Sequence, residues 1–254
     1  MSAGVPLGLI TAFFITALLY ASAGFGGGST YAALLALSGL DYRLLPVLAL
    51  ACNIVVVAGA SVRFASAKIT PWKGALLLTG IAAPAAFLGG LTPIAQDSFM
   101  WLLGASLLLT GATMFLPVGT REAGEQGAPT RLAKFMPVAA LPLGYLAGLV
   151  GIGGGIFLAP LLHLTRWNNA RAIAATASLF ILINSAFGLA GQLLKSGPAV
   201  LTGAVYGGLA LLVAVAIGGQ IGSLLAVKFL PQRLIRWLTA ALVIWVGARL
   251  LLGI

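Results

Sequence analysis

The chain has 254 residues, of which 61% are hydrophobic and 7% charged, and its mean hydropathy is +1.11. A soluble domain has about a quarter charged residues, so this composition excludes an ordinary soluble protein and predicts an integral membrane protein. Its apolar runs are long and do not alternate, which favours membrane helices over a β-barrel. The fourteen Lys and Arg against four acidic residues are explained by cation-rich cytoplasmic loops. We therefore expect the lipid bilayer, and no nucleic acid, as a partner.

The first half of the chain predicts a series of apolar helices with one interruption. No Lys or Arg precedes Arg43, so we expect residues 5–23 to be a retained membrane helix and not a cleaved signal. Four glycines within residues 24–28 then interrupt the hydrophobic sequence, since each costs roughly 1 kcal/mol relative to Ala in a helix. Further apolar segments are predicted at 29–40, 44–65, 75–91 and 99–116.

The second half repeats this order after a hydrophilic segment. Residues 118–134 predict a cytoplasmic linker between a first transmembrane repeat, 1–117, and a second, 135–254. Asn53 and Asn184 occupy matching positions near the centres of their helices, which indicates an internal duplication. The apolar segments of the second repeat are predicted at 135–150, 156–165, 172–194, 200–227 and 234–252, with a second glycine break at 151–155.

The distribution of cations distinguishes between two topologies. If the chain continued through each glycine break in the same direction across the membrane, the cations would divide eight to six between the two sides. If each break reverses the chain, they divide eleven to three, with Arg43, Lys195 and Arg249 as the minority. The positive-inside rule favours the reversal and places both termini on the periplasmic or outer side of the membrane.

The predicted fold class is therefore an all-α polytopic membrane protein with two inverted-topology repeats. Each repeat is a glycine-broken helical hairpin plus three transmembrane helices, an architecture that recurs in secondary transporters. Segments 29–40 and 156–165 are short, so the hairpins either cross the membrane or are re-entrant. The sequence leaves the oligomeric state open.

The glycine breaks predict an anion site. Helices that begin near residues 28 and 155 would present unpaired N–H groups and a positive dipole end, and glycine lets a ligand approach the backbone. The alternative is that the glycines only permit close helix crossing. A dinucleotide fingerprint is excluded, because Ser29 and Ile156 stand where it requires glycine. The candidate substrate-binding residues are Gly26, Gly27, Gly28, Ser29, Thr30, Asn53, Gly153, Gly154, Gly155, Thr176, Ser178, Asn184 and Gln192.

Several of these polar residues carry two interpretations. Asn53 and Asn184 either donate to the anion or brace the hairpins, and Gln192 extends the polar stripe of Asn184 two turns further on. Arg171 either guides anions at the cytoplasmic mouth or marks the membrane boundary. The lone Cys52 is interpreted as packing. No metal-ligand spacing, paired carboxylates or nucleophile with a base is present, so we expect no enzyme, metal or cofactor.

The paired glycine breaks, the two-half layout with its hydrophilic linker, and Arg171 followed by Thr176-Ala177-Ser178 resemble the sulfite exporter TauE/SafE family. That family is also grouped as the toluene sulfonate uptake permeases. The resemblance covers nearly the whole chain and implies a small anionic substrate, such as sulfite or an organosulfonate like sulfoacetate, carried across the bacterial inner membrane. Hydroxyls like those of Thr176 and Ser178 are missing around residues 49–51 of the first half, which predicts that the second half supplies most of the hydroxyl donors of the site.

The four acidic residues, Asp41, Asp97, Glu122 and Glu125, are all expected in loops. Proton- and sodium-coupled carriers commonly use intramembrane carboxylates, so we predict no carboxylate relay. An exported anion is driven by the inside-negative potential, about 2.3 kcal/mol per charge per 100 mV, and export is therefore favoured over uptake. Two rival functions remain at this point, a non-transporting membrane subunit and an anion channel.

Overall fold

A computed structural model describes residues 6–23, 26–115, 131–196, 198–225 and 232–253, and over these residues the chain forms helices and no strand. The helices of the first half are α1 (Leu7–Ala23), α2 (Gly28–Leu37), α3 (Leu44–Ser66), α4 (Trp72–Leu91) and α5 (Gln96–Phe115). A 3₁₀ turn (Arg131–Phe135) precedes α6 (Met136–Val150), α7 (Gly155–Leu164), α8 (Ala170–Lys195), α9 (Pro198–Leu225) and α10 (Gln232–Leu252). The prediction of an all-helical chain is confirmed.

Four of the described helices are long and apolar enough to cross a membrane, and five further apolar stretches are shorter. Both glycine breaks interrupt the helices where expected. The predicted linker falls largely outside the described residues, as do Gly24, Glu122 and Glu125. One expectation is wrong in detail, because Asp97 lies in the first turn of α5 and not in a loop. Its carboxylate is nevertheless exposed, since the start of α5 is at the protein surface.

Glycines bring the two halves into backbone contact. In two helix pairs, a later residue of one helix contacts a later residue of the other, so the two helices of each pair run parallel. The contacts are Gly144 with Ala82 and Gly148 with Ala86 between α6 and α4, and Gly218 with Phe14 and Gly222 with Leu18 between α9 and α1. A methyl group at these glycines would overlap the neighbouring backbone, and such overpacking typically costs about 1–3 kcal/mol.

Two other helix pairs run antiparallel, and each joins one helix of the first half to one of the second. The contacts are Ser61 with Ser178 and Leu50 with Gly188 between α3 and α8, and Gly104 with Leu251 and Gly111 with Val243 between α5 and α10. Helix α9 also runs parallel to α3, with Gly208 beside Leu48 and Gly219 beside Val56. Helices α1, α3 and α9 thus share one direction, and α4, α6 and α8 share the opposite one.

These directions place the described cations on two faces of the protein. Arg43, before α3, and Lys195, at the end of α8, line one pocket, and the end of α10 beside α5 brings Arg249 to the same side. We call this the three-cation face. On the opposite, basic face, Trp167 packs against Gly74 and joins the turn before α8 to the start of α4. The described cations near the basic face are Arg63, Lys68, Lys73, Arg131, Lys134, Arg166 and Arg171.

Candidate anion-binding site

The first glycine break ends α1 and starts α2. Gly27 has a φ of 75° and is the N-cap of α2, a left-handed conformation that glycine adopts without a steric penalty. The first backbone bond of α2 runs from the Tyr31 N–H to the Gly27 carbonyl at 3.0 Å. The amides of residues 28–30 come before that bond and have no acceptor within the helix. Phe13 stacks on Tyr31 with ring centroids 4.8 Å apart, which holds α2 alongside α1.

The second break is built in the same way. Gly151, Gly153 and Gly154 have φ values of 85°, 81° and 76°, and Gly154 is the N-cap of α7. The amides of Phe157 and Leu158 donate to the Gly154 carbonyl, each at 3.1 Å, which leaves the amides of residues 155 and 156 without an intrahelical acceptor. Positive φ angles at these positions explain the glycines, so here they serve a sharp change of chain direction. Glycines on α4, α6, α8 and α9 carry the close helix crossings, and Gly28 and Gly151 also lie directly against backbone, that of Ile152 and Pro46.

The two breaks meet at Asn53, in the middle of α3. The Asn53 Nδ2 donates to the carbonyl of Ile152 at 3.3 Å, and Gly28 lies against both groups. A Cβ added to Gly26 would come 2.7 Å from the Asn53 Oδ1, and one added to Gly153 would come 2.8 Å from its Nδ2. We name this arrangement of residues 26–28, 152–155, Asn53 and Ser185 the glycine junction. Asn53 thus braces the hairpins, one of its two predicted roles.

Unpartnered polar atoms cluster at or next to this junction. The Asn53 Oδ1, both amide atoms of Asn184 and the Ser185 Oγ are buried, and among the described residues they have no hydrogen-bond partner. The Oγ of Ser185 lies beside Gly153. A buried polar atom without a partner typically costs about 1–3 kcal/mol, and in native proteins such an atom calls for an explanation, for example a ligand or ion. Neutral donors at two helix starts suit an anion.

The other candidate residues comprise three glycines of the junction, an unpartnered serine, and four residues whose side chains are hydrogen-bonded to the protein. Gly27 faces Thr16 and Tyr20 of α1, and Gly154 faces Ala147 and Phe180. The Ser29 Oγ is buried in the first turn of α2 and has no hydrogen-bond partner among the described residues, and Gly155 packs on Ile181. The bonded side chains are Thr30 with the Tyr20 hydroxyl at 3.0 Å, Thr176 with the Ala172 carbonyl at 2.8 Å, Ser178 with Ser61 at 2.9 Å and Gln192 with the Gly148 carbonyl at 2.8 Å.

Arg171 lies in the first turn of α8, exposed on the basic face. It is remote from the junction, and its guiding role stays a prediction. Sequence reasoning missed Ser185, which follows Asn184 directly. The position in the first half that corresponds to Ser185 holds Ile54, so comparison of the repeats gave no signal there. It also missed Ser61, whose importance depends on its partner across the α3–α8 contact.

Comparison with known proteins supports the transporter interpretation of this architecture. The sulfite exporter TauE/SafE family model matches residues 9–250. The chain belongs to this family. A curated relative, the probable membrane transporter protein y4hK of Sinorhizobium fredii (strain NBRC 101917 / NGR234), is 32% identical over 258 residues, which cover 96% of this chain and 98% of the relative. No solved structure matches. The protein is accordingly a multi-pass membrane transporter of the TauE/SafE type.

Proposed function

We propose that this transporter exports a small sulfur-containing anion, such as sulfite or an organosulfonate, across the bacterial inner membrane by alternating access. The observation that carries the proposal is the glycine junction, where two helix N-termini meet beside buried donors that lack partners. A sulfonate or sulfite group has three oxygen acceptors, and these amides and side chains are neutral donors. Such a site selects negative charge without a permanent cation, because backbone N–H groups and the helix dipole supply the positive potential.

The packing between the halves supports two inverted repeats. Helix α1 packs on α9 while α6 packs on α4, so the partners are exchanged between the halves. The corresponding helices α3 and α8 run antiparallel, as do α5 and α10. Inverted repeats bring the starts of α2 and α7 to the junction from opposite faces, a recurring arrangement of secondary transporters.

A carrier fits the junction better than a channel does. Asn53, Asn184 and Ser185 are each 0% exposed, so the junction in this state has no open connection to solvent. The two described acids, Asp41 and Asp97, lie at the surface and cannot relay protons through the centre. Export of an anion then follows its own gradient and the membrane potential, which contributes about 2.3 kcal/mol per charge per 100 mV.

Anion binding by the purified protein tests this proposal directly. Affinities would be measured for sulfite, sulfoacetate, thiosulfate, sulfate and a carboxylate analogue. In Gly28→Ala the added Cβ fills the junction, and loss of one hydrogen bond to a charged ligand, about 1.5–3 kcal/mol, lowers affinity at least tenfold. Gly39→Ala is the matched control, since Gly39 has a φ of 70° but open space around it. It adds strain without filling the junction, and its affinity should be unchanged. Equal affinities in both variants contradict the proposal.

The inverted arrangement and its orientation are tested by labelling from each side. Cysteines would be introduced singly at Arg43, on the three-cation face, and at Lys68, on the basic face. A membrane-impermeant thiol reagent should modify Arg43→Cys in intact spheroplasts and Lys68→Cys only in inverted vesicles. The native Cys52 is 0% exposed and should remain unmodified in both preparations. Labelling of both introduced cysteines from the same side would exclude the topology.

A further inference from the structure

An open pocket on the three-cation face leads toward the glycine junction. Its volume is about 280 Å³, and Arg43 and Lys195 both line it. These residues stand at adjacent ends of the antiparallel helices α3 and α8. None of the described residues that line the pocket is acidic. Two cations therefore share a concave space that is large enough for a small anion with part of its hydration shell, since a water molecule takes about 30 Å³.

The floor of this pocket is in contact with the second glycine break. Gln192, Leu149 and Pro46 line the pocket, and the Gln192 Nε2 donates to the carbonyls of Gly148 at 2.8 Å and Leu149 at 3.3 Å. Pro46 lies directly against Gly151. One layer of residues thus separates the pocket from Gly151, where the second glycine break begins, and Gln192 is the polar member of that layer.

The two cations keep their charge available to the pocket. The Arg43 guanidinium lies 5.5 Å from the centroid of the Tyr42 ring, and its Nε donates to the Tyr42 hydroxyl at 3.4 Å. Asp41 accepts from the backbone N–H of Arg43 at 3.0 Å. The Lys195 Nζ donates to the Thr92 carbonyl at 3.2 Å. The groups bonded to the two cationic side chains, a phenol and a carbonyl, are uncharged, and Asp41 is the carboxylate that acts on the Arg43 charge.

We propose that this pocket is an anion vestibule, in which Arg43 and Lys195 hold the transported sulfonate or sulfite on its way out of the glycine junction. The proposal rests on the proposed function, since it names the exit route of the same anion. Gln192 lies between the two sites on α8, and its Nε2, which donates to two carbonyls of α6, fixes the end of α6 beside this route. At the other end of the α3–α8 pair the buried Ser61–Ser178 bond takes the corresponding place, so of these two ends only the three-cation end borders the pocket.

A cysteine at Ser196, which also lines the pocket, reports the local potential. The test compares its modification rates by two methanethiosulfonates, one bearing a sulfonate and one a trimethylammonium group, in the full-length protein. At a Debye length of about 10 Å, one cation roughly 8 Å from the thiol raises the rate with the sulfonate reagent about 1.5-fold and lowers the rate with the ammonium reagent by the same factor. In Ser196→Cys carrying Arg43→Gln and Lys195→Gln, the sulfonate-to-ammonium ratio should therefore fall roughly fivefold.

The matched control is Arg249→Gln, which removes a cation from the same face outside the pocket and should leave the ratio within twofold of Ser196→Cys alone. Sulfoacetate should also slow modification in Ser196→Cys and lose this protection in the double Gln variant. A ratio that falls no further with Arg43→Gln and Lys195→Gln than with Arg249→Gln overturns the vestibule. Failure of the proposed function would look different, because Ser196→Cys would then carry no sulfoacetate in liposomes while the ratio still responded to the two cations.

Discussion

Replacement of Asn184 by leucine separates a binding role from a structural one. The two side chains have the same number and branching of heavy atoms, but leucine has no polar group. Both amide atoms of Asn184 are buried and without a partner among the described residues. Removing them relieves a desolvation penalty of about 1–3 kcal/mol. In a chain of this length, roughly 2–4 °C of Tm corresponds to each kcal/mol, so Asn184→Leu should raise Tm by several degrees.

The same substitution should damage transport. If the Asn184 amide donates to the bound anion, its loss removes a hydrogen bond to a charged ligand, about 1.5–3 kcal/mol. That change corresponds to a loss of roughly tenfold to more than a hundredfold in affinity. The assays are thermal unfolding of the purified protein and counterflow of sulfoacetate in liposomes. A gain in Tm together with a loss of counterflow is the expected result.

Thr110→Val is the matched control for this substitution. The Thr110 hydroxyl is also buried and unpartnered among the described residues, but it lies on α5, away from the glycine junction. Its replacement should raise Tm and leave counterflow unchanged. A lower Tm for Asn184→Leu would mean that the amide has partners in the protein, and the reasoning from its burial would fail. A higher Tm with normal counterflow would remove Asn184 from the binding site.

Two further predictions concern packing and gating. Gly148→Ala places a methyl group against the Ala86 carbonyl and should lower the free energy of unfolding by about 1–3 kcal/mol, measured by thermal unfolding. Gly8 has open space around it, so Gly8→Ala is the control and should not lower the Tm. Equal Tm values for the two variants would contradict the close approach of α4 and α6. Ser61→Cys with Ser178→Cys, whose native hydroxyls are 2.9 Å apart, should form a disulfide on oxidation that stops counterflow, and a reductant should restore it. Counterflow that continues at full rate after complete cross-linking would exclude movement at this contact.

Much of the fold could be predicted from the sequence because its signals are local. Long apolar runs set the helices, and clustered glycines set the two breaks, to within a few residues of the helix ends in the structure. Asn53 was singled out because an amide in the middle of an apolar helix is expensive, and it lies where the two breaks meet. Its hydrogen bond to the Ile152 carbonyl joins residues that are far apart in the sequence, so it becomes visible only when the two halves are packed together.

The predicted set of binding residues could not be sorted from sequence alone, because their partners lie on other helices. Ser178 and Gln192 are polar residues in an apolar helix, as Asn184 is. In the structure Ser178 bonds Ser61 and Gln192 bonds the end of α6, while Asn184 has no partner among the described residues. Ser185, beside Gly153, was overlooked because a serine in a helix is common and its repeat counterpart is Ile54. Helix directions, which decide these contacts, are not encoded in hydropathy.

The α3–α8 pair is the contact at which we propose that two inverted repeats gate the transporter. Ser61 and Gln192 hold corresponding positions, each eight residues after its matching asparagine. On the basic-face side Ser61 closes against Ser178, while on the three-cation side Gln192 caps the end of α6 and borders an open pocket. Two sequence-related positions thus take different partners in the same state. In the proposed alternating access, one repeat would rock against the other, so that the contact at Ser61 opens when the one at Gln192 closes. A shorter side chain at residue 61 than at 192 also means that the two end states need not be equally stable.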